Sequence, residues 1–316
     1  MSQSVESVVV SVVAEQFDIV TCYQKFLKDD PDLSMPIAAI ESLVELIKHT
    51  TTLTEFMESL KDASQKLKSS VKNSISLSAG ADLFLRFVTR TSHDVTNFEA
   101  CREHLINSGK VLVEKAAAVR EKIGDLGVQF IKDDATILIH SYSRVVMLLL
   151  QRAAACKKRF KVYVTESRPL SLGIRAAKVL CKAGIPATVI YDTAVGYIID
   201  KVDAVFVGAE GVVENGGLIN AIGTYQLAVV AKAANKPFYA VIESYKFVRL
   251  FPLNQYDLPT HTPDLLTFPD LEHHNTESSE DEVIGNYEAI NPTVDYTPPD
   301  YITLLCTDLG VLTPSG

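Results

Sequence analysis

Six short, mostly apolar runs rich in β-forming residues, all after Lys132, limit the folds open to this chain more than any other feature. The runs are Ala135–Ile139, Val162–Thr165, Ala187–Tyr191, Ala204–Val207, Phe238–Ile242 and Ile302–Leu305. Helical or turn segments separate the first five, and this alternation is typical of a parallel sheet with helices on both faces. The sequence therefore predicts an α/β fold with a Rossmann-like, doubly wound and mostly parallel sheet.

The chain before Lys132 has helical periodicity and no run that resembles a strand. Apolar residues recur at three- and four-residue spacing in Ile37–Ile47, and Ser34 followed by Pro36 indicates where that helix starts. A long helix is predicted toward the end of the region, with a break near Gly109 or Gly124. This long helix covers Asn97–Ile131, and the other predicted helical ranges are Val9–Val20, Thr54–Asn73 and Ala79–Thr91.

These patterns divide the chain into two predicted domains. Residues 1–131 form a helical domain, and residues 132–316 form the Rossmann-like domain. Several prolines, an acidic run at Glu277–Glu282 and weak periodicity predict a surface loop at about 258–300, before the last strand.

The bulk composition argues against several classes of protein. A formal net charge of -9 disfavours nucleic acid as a partner, because phosphate backbones are bound by basic surfaces. The most apolar N-terminal stretch, Val5–Val20, is interrupted by Glu6, Glu15 and Asp18, which argues against a signal peptide and a membrane span. The five cysteines have no metal-ligand spacing, and scattered thiols are typical of a reducing compartment. We therefore expect a cytosolic protein that binds neither membranes nor nucleic acid.

The segment Val202–Tyr225 joins a buried strand to an acid and a glycine-containing turn. The strand ends at Gly208, Glu210 follows, and the turn at 215–217 precedes a helical pattern that is predicted to start around Asn220. Open α/β sheets bind ligands at the carboxyl ends of their strands, where the amides of helix N-termini favour anions. The segment therefore predicts an anion site. The open alternative is a loop whose glycines only make a tight turn.

Two other predicted strands end in polar residues at the same edge of the sheet. Together with the segment above, they predict a pocket in which arginines and amides hold a phosphate and carboxylates hold hydroxyl groups. The expected ligand is a sugar phosphate or a nucleoside monophosphate, and no cofactor is required. Two alternatives stay open. Glu166 and Arg168 could form a plain surface ion pair, and His140 could be a core histidine whose hydrogen bonds are satisfied by the backbone. The candidate residues are His140, Ser141, Tyr142, Ser143, Arg144, Glu166, Arg168, Glu210 and Asn220.

Fingerprints of other ligand sites are absent from the sequence. No GxGxxG follows the first predicted strand, and the glycines after the fourth strand lack P-loop spacing and its lysine. His273 and His274 are adjacent but have no other ligand-type residues in a metal-binding pattern, so no metal site is predicted. These absences argue against a self-contained nucleotide-binding protein.

Four longer runs resemble one protein family. They are SYSRVVMLLL, KRFKVYVTESRP, VGAEGVVENGGLINAIGTYQLAVVAKAANKPFYAVIESYKFVRLFPLNQ and VDYTPPDYITLLCTDLGVLTP. The runs are similar to the alpha-subunit family of eukaryotic translation initiation factor two-B, and the similarity extends from about Phe26 to Pro314. The resemblance implies a helical N-terminal domain and a Rossmann-like C-terminal domain. It also implies a further helix after Pro314, whereas this sequence ends at Gly316.

The function that the resemblance implies is regulatory. The factor is the guanine-nucleotide exchange factor that recharges initiation factor two with GTP, and its alpha subunit lacks the exchange-catalytic domain. The resemblance therefore implies a subunit that helps the complex to sense the phosphorylated alpha subunit of initiation factor two. It also implies a homodimer whose other partners are the beta and delta regulatory subunits.

The wider superfamily implied by the resemblance includes methylthioribose-1-phosphate isomerase and ribose-1,5-bisphosphate isomerase. Those enzymes have a cysteine at the position of Ser141 and an aspartate at the position of Glu210. Aldose–ketose isomerisation needs a positioned acid/base pair, and a serine hydroxyl is a far weaker acid than a thiol. We therefore expect no isomerase activity, and a sugar-phosphate isomerase stays the alternative function.

Two surfaces are expected to bind partners. The stretch Tyr245–Gln255 is densely apolar beyond a strand end, which favours a dimer interface in the C-terminal domain, although it could also fold back on its own domain. Its apolar members are Phe247, Val248, Leu250, Phe251 and Leu253. The helical domain has faces of mixed charge, including Glu41 and Glu45, and such faces suit reversible sensing of a partner.

Overall fold

The computed structural model describes residues 17–30, 33–50, 52–71, 73–92, 98–259 and 292–314. Five helices come first, and Ser34 precedes the second helix with Pro36 in its first turn, as predicted. The first helix starts at Ile19, so most of the predicted Val9–Val20 helix lies outside the described residues. The helices are α1 (Ile19–Asp29), α2 (Met35–Ile47), α3 (Leu53–Ser69), α4 (Ile75–Ser92) and α5 (Phe98–Gly127).

A seven-stranded sheet follows. Its strands are β1 (Ala135–His140), β2 (Phe160–Thr165), β3 (Ala187–Ile190), β4 (Ala204–Val207), β7 (Phe238–Val241), β9 (Leu304–Thr307) and β10 (Gly310–Leu312). They lie in the order β10-β9-β7-β4-β1-β2-β3, and in this sheet only β10 runs antiparallel to its neighbour. The helices among these strands are α6 (Arg144–Ala155), α7 (Leu172–Lys182), α8 (Val195–Ile198) and α9 (Thr224–Ala233). This order confirms the predicted mostly parallel, doubly wound sheet.

A second, antiparallel sheet of three short strands was not predicted. It contains β5 (Gly211–Val212), β6 (Leu218–Ala221) and β8 (Val294–Thr297), with β6 in the centre. The predicted helix start around Asn220 is therefore wrong, because Asn220 lies in β6 and α9 begins at Thr224. The predicted loop at 258–300 is also partly wrong, because β8 lies near its end. Residues 260–291 of that loop lie outside the described residues.

The long helix α5 continues through both positions where a break was predicted. The glycines there make room for neighbouring helices: a side chain at Gly109 would collide with Val44 of α2, and a Cβ at Gly124 would lie 2.9 Å from Leu148 Cδ2 of α6. Glycine weakens a helix by about 1 kcal/mol relative to alanine, and close packing of helices can offset that cost. The prediction of a break was wrong because sequence periodicity does not reveal these contacts.

The helices α1–α5, which we call the helical layer, pack onto the loops that follow the strands of the large sheet. Tyr245, just beyond β7, is buried in the apolar core of the helical layer together with Tyr23 and Ile40. The Ser34 hydroxyl reaches the Tyr245 hydroxyl at 3.4 Å.

The last predicted strand, Ile302–Leu305, is shifted by two residues to Leu304–Thr307. The division into two separate domains stays a prediction.

Candidate functional site

A cavity of about 230 Å³ lies between the helical layer and the strand ends, and we call it the interlayer cavity. Loops after β1, β4 and β7 form one wall, since parallel strands present their carboxyl ends at one edge. Five predicted residues line this wall: Tyr142, Ser143, Arg144, Glu210 and Asn220. Residues that were not predicted line the rest, including Ser34, Met35, Pro36, Ser76 and Arg120 from the helical layer, and Arg175, Glu243 and Lys246 from the sheet side.

The charges around the interlayer cavity favour an anionic ligand. The cations are Arg120, Arg144, Arg175 and Lys246, and the acids are Glu210 and Glu243. If all six groups are ionised, the lining has an excess of two positive charges. A phosphate monoester near neutral pH carries a charge of about −1.5 to −2, so it would nearly balance this excess.

Glu243 is the most buried charge of this lining, with 2% of its side chain exposed. Its carboxylate accepts from Arg120 Nε at 3.1 Å and lies 3.2 Å from Lys246 Nζ. Burial alone would raise the pKa of Glu243, but the two cations outweigh it and lower the pKa to about 2. The Tyr245 hydroxyl also donates to Glu243, at 3.2 Å. The result is an ionised carboxylate that joins helix α5 to the end of β7.

Glu210 is held by the helical layer. The Ser76 hydroxyl, in the first turn of α4, lies 2.9 Å from the Glu210 main-chain oxygen and also bonds its carboxylate. The Glu210 amide donates to Ile219 of β6. The predicted acid is therefore at the cavity with its position fixed by two elements.

Tyr142, Ser143 and Arg144 form the entry to α6, whose N-terminus faces the cavity. The Ser143 hydroxyl does not cap the helix, and Arg144 donates to the Leu33 carbonyl at 2.9 Å. The Arg175 guanidinium lies 4.4 Å from the centre of the Tyr142 ring, which orients this cation at the cavity. Cations and the N-terminus of a helix thus meet at this part of the lining.

His140 and Ser141 are buried beside this wall but do not line the cavity. The His140 ring accepts at Nδ1 from the Thr165 hydroxyl at 2.6 Å and donates from Nε2 to the Ile222 carbonyl at 2.8 Å. Burial lowers the pKa of His140, so the ring is neutral near pH 7. His140 therefore corresponds to the core-histidine alternative.

Glu166 and Arg168 also lie away from the interlayer cavity. They form an ion pair with Arg168 Nε 3.3 Å from the Glu166 carboxylate, and 59% of the Arg168 side chain is exposed. Arg168 instead lines a second cavity, of about 650 Å³, which is mostly apolar. The two residues form the ion pair of the alternative interpretation, although only Arg168 is on the surface and the Glu166 side chain is 15% exposed.

The N-terminus of α9 is already occupied by a carboxyl group of the chain itself. The Asp295 carboxylate accepts from the amides of Gly223 at 2.8 Å and Tyr225 at 3.0 Å. Burial raises the pKa of Asp295 to about 7 despite these hydrogen bonds. The predicted anion site at this helix start is therefore filled by a side chain from β8.

Some of the missed residues had a usable signal in the sequence. The run Phe238–Ile242 was predicted as a strand, so Glu243 and Lys246 follow a strand end as the predicted acids do. Arg175 lies in the first turn of the helix after β2. Arg120 and Ser76 had no such signal, because only tertiary packing brings α4 and α5 to the sheet edge.

The apolar stretch after β7 is divided between core and surface. Val248 is buried among Ile75, Ile219 and other residues, and Leu250 packs against the same cluster. Phe247 packs against a different core cluster, which includes Val212 and Leu218 of the small sheet. Phe251 and Leu253 are exposed over 60% and 79% of their surface. The stretch thus folds back in part, and its last two apolar residues remain on the surface.

Glu41 and Glu45 lie on α2, where they line a groove of about 280 Å³ between α1, α2 and α5. Burial, and then the nearby Asp30, raise the pKa of Glu41. Glu45 pairs with Lys48 at 2.5 Å. We call this feature the helical groove.

Two kinds of feature are absent from the part of the chain that the structure describes. Within the described ranges, no helix has the length and apolar character needed to cross a bilayer. In the same part of the chain, no three His, Cys, Asp or Glu residues are grouped as metal ligands. His273 and His274 lie outside the described residues.

The fold and the cavity define a Rossmann-like protein in which a helical layer closes a strand edge lined by more cations than acids. Comparison of the sequence with protein families gives a match to the initiation factor 2 subunit family over residues 28–314. The chain belongs to this family.

Three curated relatives match most of the chain. Translation initiation factor eIF2B subunit alpha of Dictyostelium discoideum is 46% identical, with 96% of this chain and 95% of the relative covered. The protein of that name from Caenorhabditis elegans is 34% identical, with 95% and 96% covered. Ribose 1,5-bisphosphate isomerase of Archaeoglobus fulgidus is 31% identical, with 87% and 83% covered. The similarity predicted from the four sequence runs is confirmed.

Two solved structures share the fold. Translation initiation factor eIF-2B of Pyrococcus horikoshii has a TM-score of 0.70 and 22% identity, with 94% of this chain and 97% of that chain covered. A chain of the tetrameric eIF2B beta2-delta2 complex from C. thermophilum has a TM-score of 0.71 and 18% identity, with 94% and 92% covered. The likeness confirms the α/β architecture.

Proposed function

We propose that this chain is a regulatory, non-catalytic subunit of the guanine-nucleotide exchange factor for translation initiation factor two. The observation that carries the proposal is the similarity to two alpha subunits along almost their whole length. The subunit helps the complex to respond to the phosphorylated alpha subunit of initiation factor two. Its place of action is the cytosol.

The arrangement of the isomerase-like positions supports a role without catalysis. Ser141 replaces a thiol, is buried, and is not in the lining of the interlayer cavity. Glu210 is bound by Ser76, and both ring nitrogens of His140 have partners within the protein. Moving hydrogen between adjacent carbons needs an acid/base pair within reach of the substrate, and these residues do not supply one.

The interlayer cavity binds a phosphate ester without catalysing a reaction on it. Its excess of two positive charges suits one phosphate group, and the carboxylate of Glu210 can accept from hydroxyl groups. At about 230 Å³ it is smaller than the roughly 300–1,000 Å³ sites of drug-sized ligands. A sugar monophosphate fits this size better than a nucleoside monophosphate, which adds a purine or pyrimidine ring.

The proposed partners use two different surfaces. The chain forms a homodimer through the C-terminal domain, for which exposed Phe251 and Leu253 are apolar contact residues. The beta and delta regulatory subunits gather around this dimer. The helical groove, with Glu41 and Glu45, contacts the phosphorylated alpha subunit of initiation factor two.

Isolation of the complex from cells tests the proposed function. A tagged copy of the chain should co-purify with the beta and delta subunits. Complexes lacking the chain should retain nucleotide exchange while losing inhibition by phosphorylated factor. Light scattering of the purified chain should give twice the monomer mass. The proposal is wrong if the chain purifies alone, or if it converts ribose 1,5-bisphosphate well above background.

Arg175→Ala should weaken the binding of ribose 5-phosphate by about 10–100-fold, because a charge-assisted hydrogen bond contributes about 1.5–3 kcal/mol. Calorimetric titration measures the change. Arg168→Ala is the matched control, since that arginine lies outside the interlayer cavity. A loss of binding with Arg168→Ala alone would place the phosphate at the Glu166–Arg168 strand end instead.

A further inference from the structure

Two helices of the helical layer each line both the interlayer cavity and the helical groove. Helix α2 places Met35 and Pro36 at the cavity and Glu41 and Glu45 at the groove. Helix α5 places Arg120 at the cavity, while its residues 109, 110, 113 and 114 line the groove. At a rise of 1.5 Å per residue, the cavity-lining and groove-lining residues of each helix are about 8–17 Å apart along the helix axis.

The two helices are closely packed against each other at the helical groove. Gly109 of α5 lies against the Val44 side chain of α2, where even a Cβ would collide. Both Val44 and Gly109 line the helical groove. A shift of α5 along or across α2 therefore changes the shape of the groove, because close-packed interiors transmit displacements.

An anion in the interlayer cavity would act directly on α5. Arg120 is bound by the buried Glu243 carboxylate, which also binds Lys246. A phosphate in the same cavity competes with Glu243 for these cations, and such competition is strong where water is scarce. A phosphate in the cavity therefore changes which negative groups attract the Arg120 side chain, and how strongly.

We propose that a phosphate ester in the interlayer cavity and a partner in the helical groove change each other's affinity through α2 and α5. The proposal rests on the proposed function, which supplies both the ligand and the partner. Metabolite supply would then set how strongly the subunit responds to phosphorylated initiation factor two. Coupling between two sites of one protein is typically about 5–150-fold in affinity, and it is equal in both directions.

Hydrogen exchange on the full-length chain tests the link without a partner. With ribose 5-phosphate at 100 times its dissociation constant, local openings that release the ligand become about 100-fold rarer. We expect amides of α2 and α5 at the groove to slow by up to this factor. Amides of α3, which lines neither feature, should slow less. Equal slowing in all three helices, or slowing only at the cavity, overturns the proposal.

A second measurement adds the partner. The phosphorylated alpha subunit of initiation factor two is titrated with and without saturating ribose 5-phosphate, and its dissociation constant should change at least 5-fold. Arg120→Gln, tested at matched occupancy of the cavity, should remove this change, whereas Lys122→Gln, an exposed position of the same helix, should retain it. Two ligands that bind independently overturn the coupling and leave the proposed function standing. Failure of ribose 5-phosphate to bind at all overturns the phosphate pocket and the coupling together.

Discussion

Glu243→Gln is expected to lower the free energy of unfolding by about 3–5 kcal/mol. The substitution keeps the shape of the side chain but removes the charge that faces Arg120 and Lys246, whose side chains are 16% and 15% exposed. Removing one partner of a buried ion pair is costly because the remaining charge has lost both water and its counter-ion. Equilibrium unfolding in urea measures the loss.

The same residue gives a pH dependence of known sign. The pKa of Glu243 is lowered from 4.5 to about 2 in the folded chain, so the folded state favours the ionised form. The stabilisation is complete above the ordinary pKa of a glutamate and is lost as pH falls from about 4.5 toward 2. The deficit of Glu243→Gln should therefore shrink across this window.

Asp134→Asn is the matched control for charge removal. Asp134 pairs with Arg159 at 2.8 Å, but the two side chains are 71% and 75% exposed. Exposed pairs contribute about 0–1 kcal/mol, and asparagine tolerates the left-handed backbone at this position, where φ is 60°. If the two substitutions cost the same, burial of Glu243 is not what makes its ion pairs important.

Gly80→Ala should destabilise the chain by about 1–3 kcal/mol. In the interior of a helix, alanine is normally better than glycine by about 1 kcal/mol. Here a Cβ on α4 would lie 2.6 Å from the Pro36 Cα atom and closer still to its carbonyl oxygen, so the backbone of α2 would have to move. Overpacking of this kind costs about 1–3 kcal/mol.

The comparison for this prediction is Gly196→Ala in α8, where a Cβ would have no atom within 4 Å. That variant should be neutral or more stable by up to about 1 kcal/mol. Because Pro36 lines the interlayer cavity, Gly80→Ala should also weaken ribose 5-phosphate binding. Thermal unfolding and calorimetry on both variants check the two effects, and equal stability of the variants would contradict the packing argument.

Local patterns in the sequence predicted six of the seven strands of the large sheet because each of those six is a separate apolar run, whereas β10 was missed. The runs at Ala135–Ile139 and Ala204–Val207 are buried on both faces, and such strands need no partner to be recognised. The small sheet was missed for the opposite reason. Its strand β5 has only two residues, and β6 pairs with β8, which is distant in sequence. Short strands stabilised by distant partners have no local signal.

The candidate site was predictable on one side only. Tyr142, Ser143, Arg144 and Glu210 follow strand ends, and the rule about carboxyl edges locates them at the cavity. That rule also selected Glu166, which lies away from the cavity, because a strand end determines the edge and not the direction of a side chain. Arg120 comes from a helix that precedes the sheet, so no rule about strands could include it.

The position of β8 has a consequence for the order in which the chain folds. Its residue Asp295 binds the amide of Gly223, 72 residues earlier, and lies opposite Asn220 in the small sheet. Closing so long a loop costs more entropy than pairing β1 with β2, β2 with β3 or β4 with β7, because these strands are much closer together in the chain. The wall of the cavity that contains Asn220 is therefore completed late. A nascent chain can build most of the large sheet before it acquires a finished binding site.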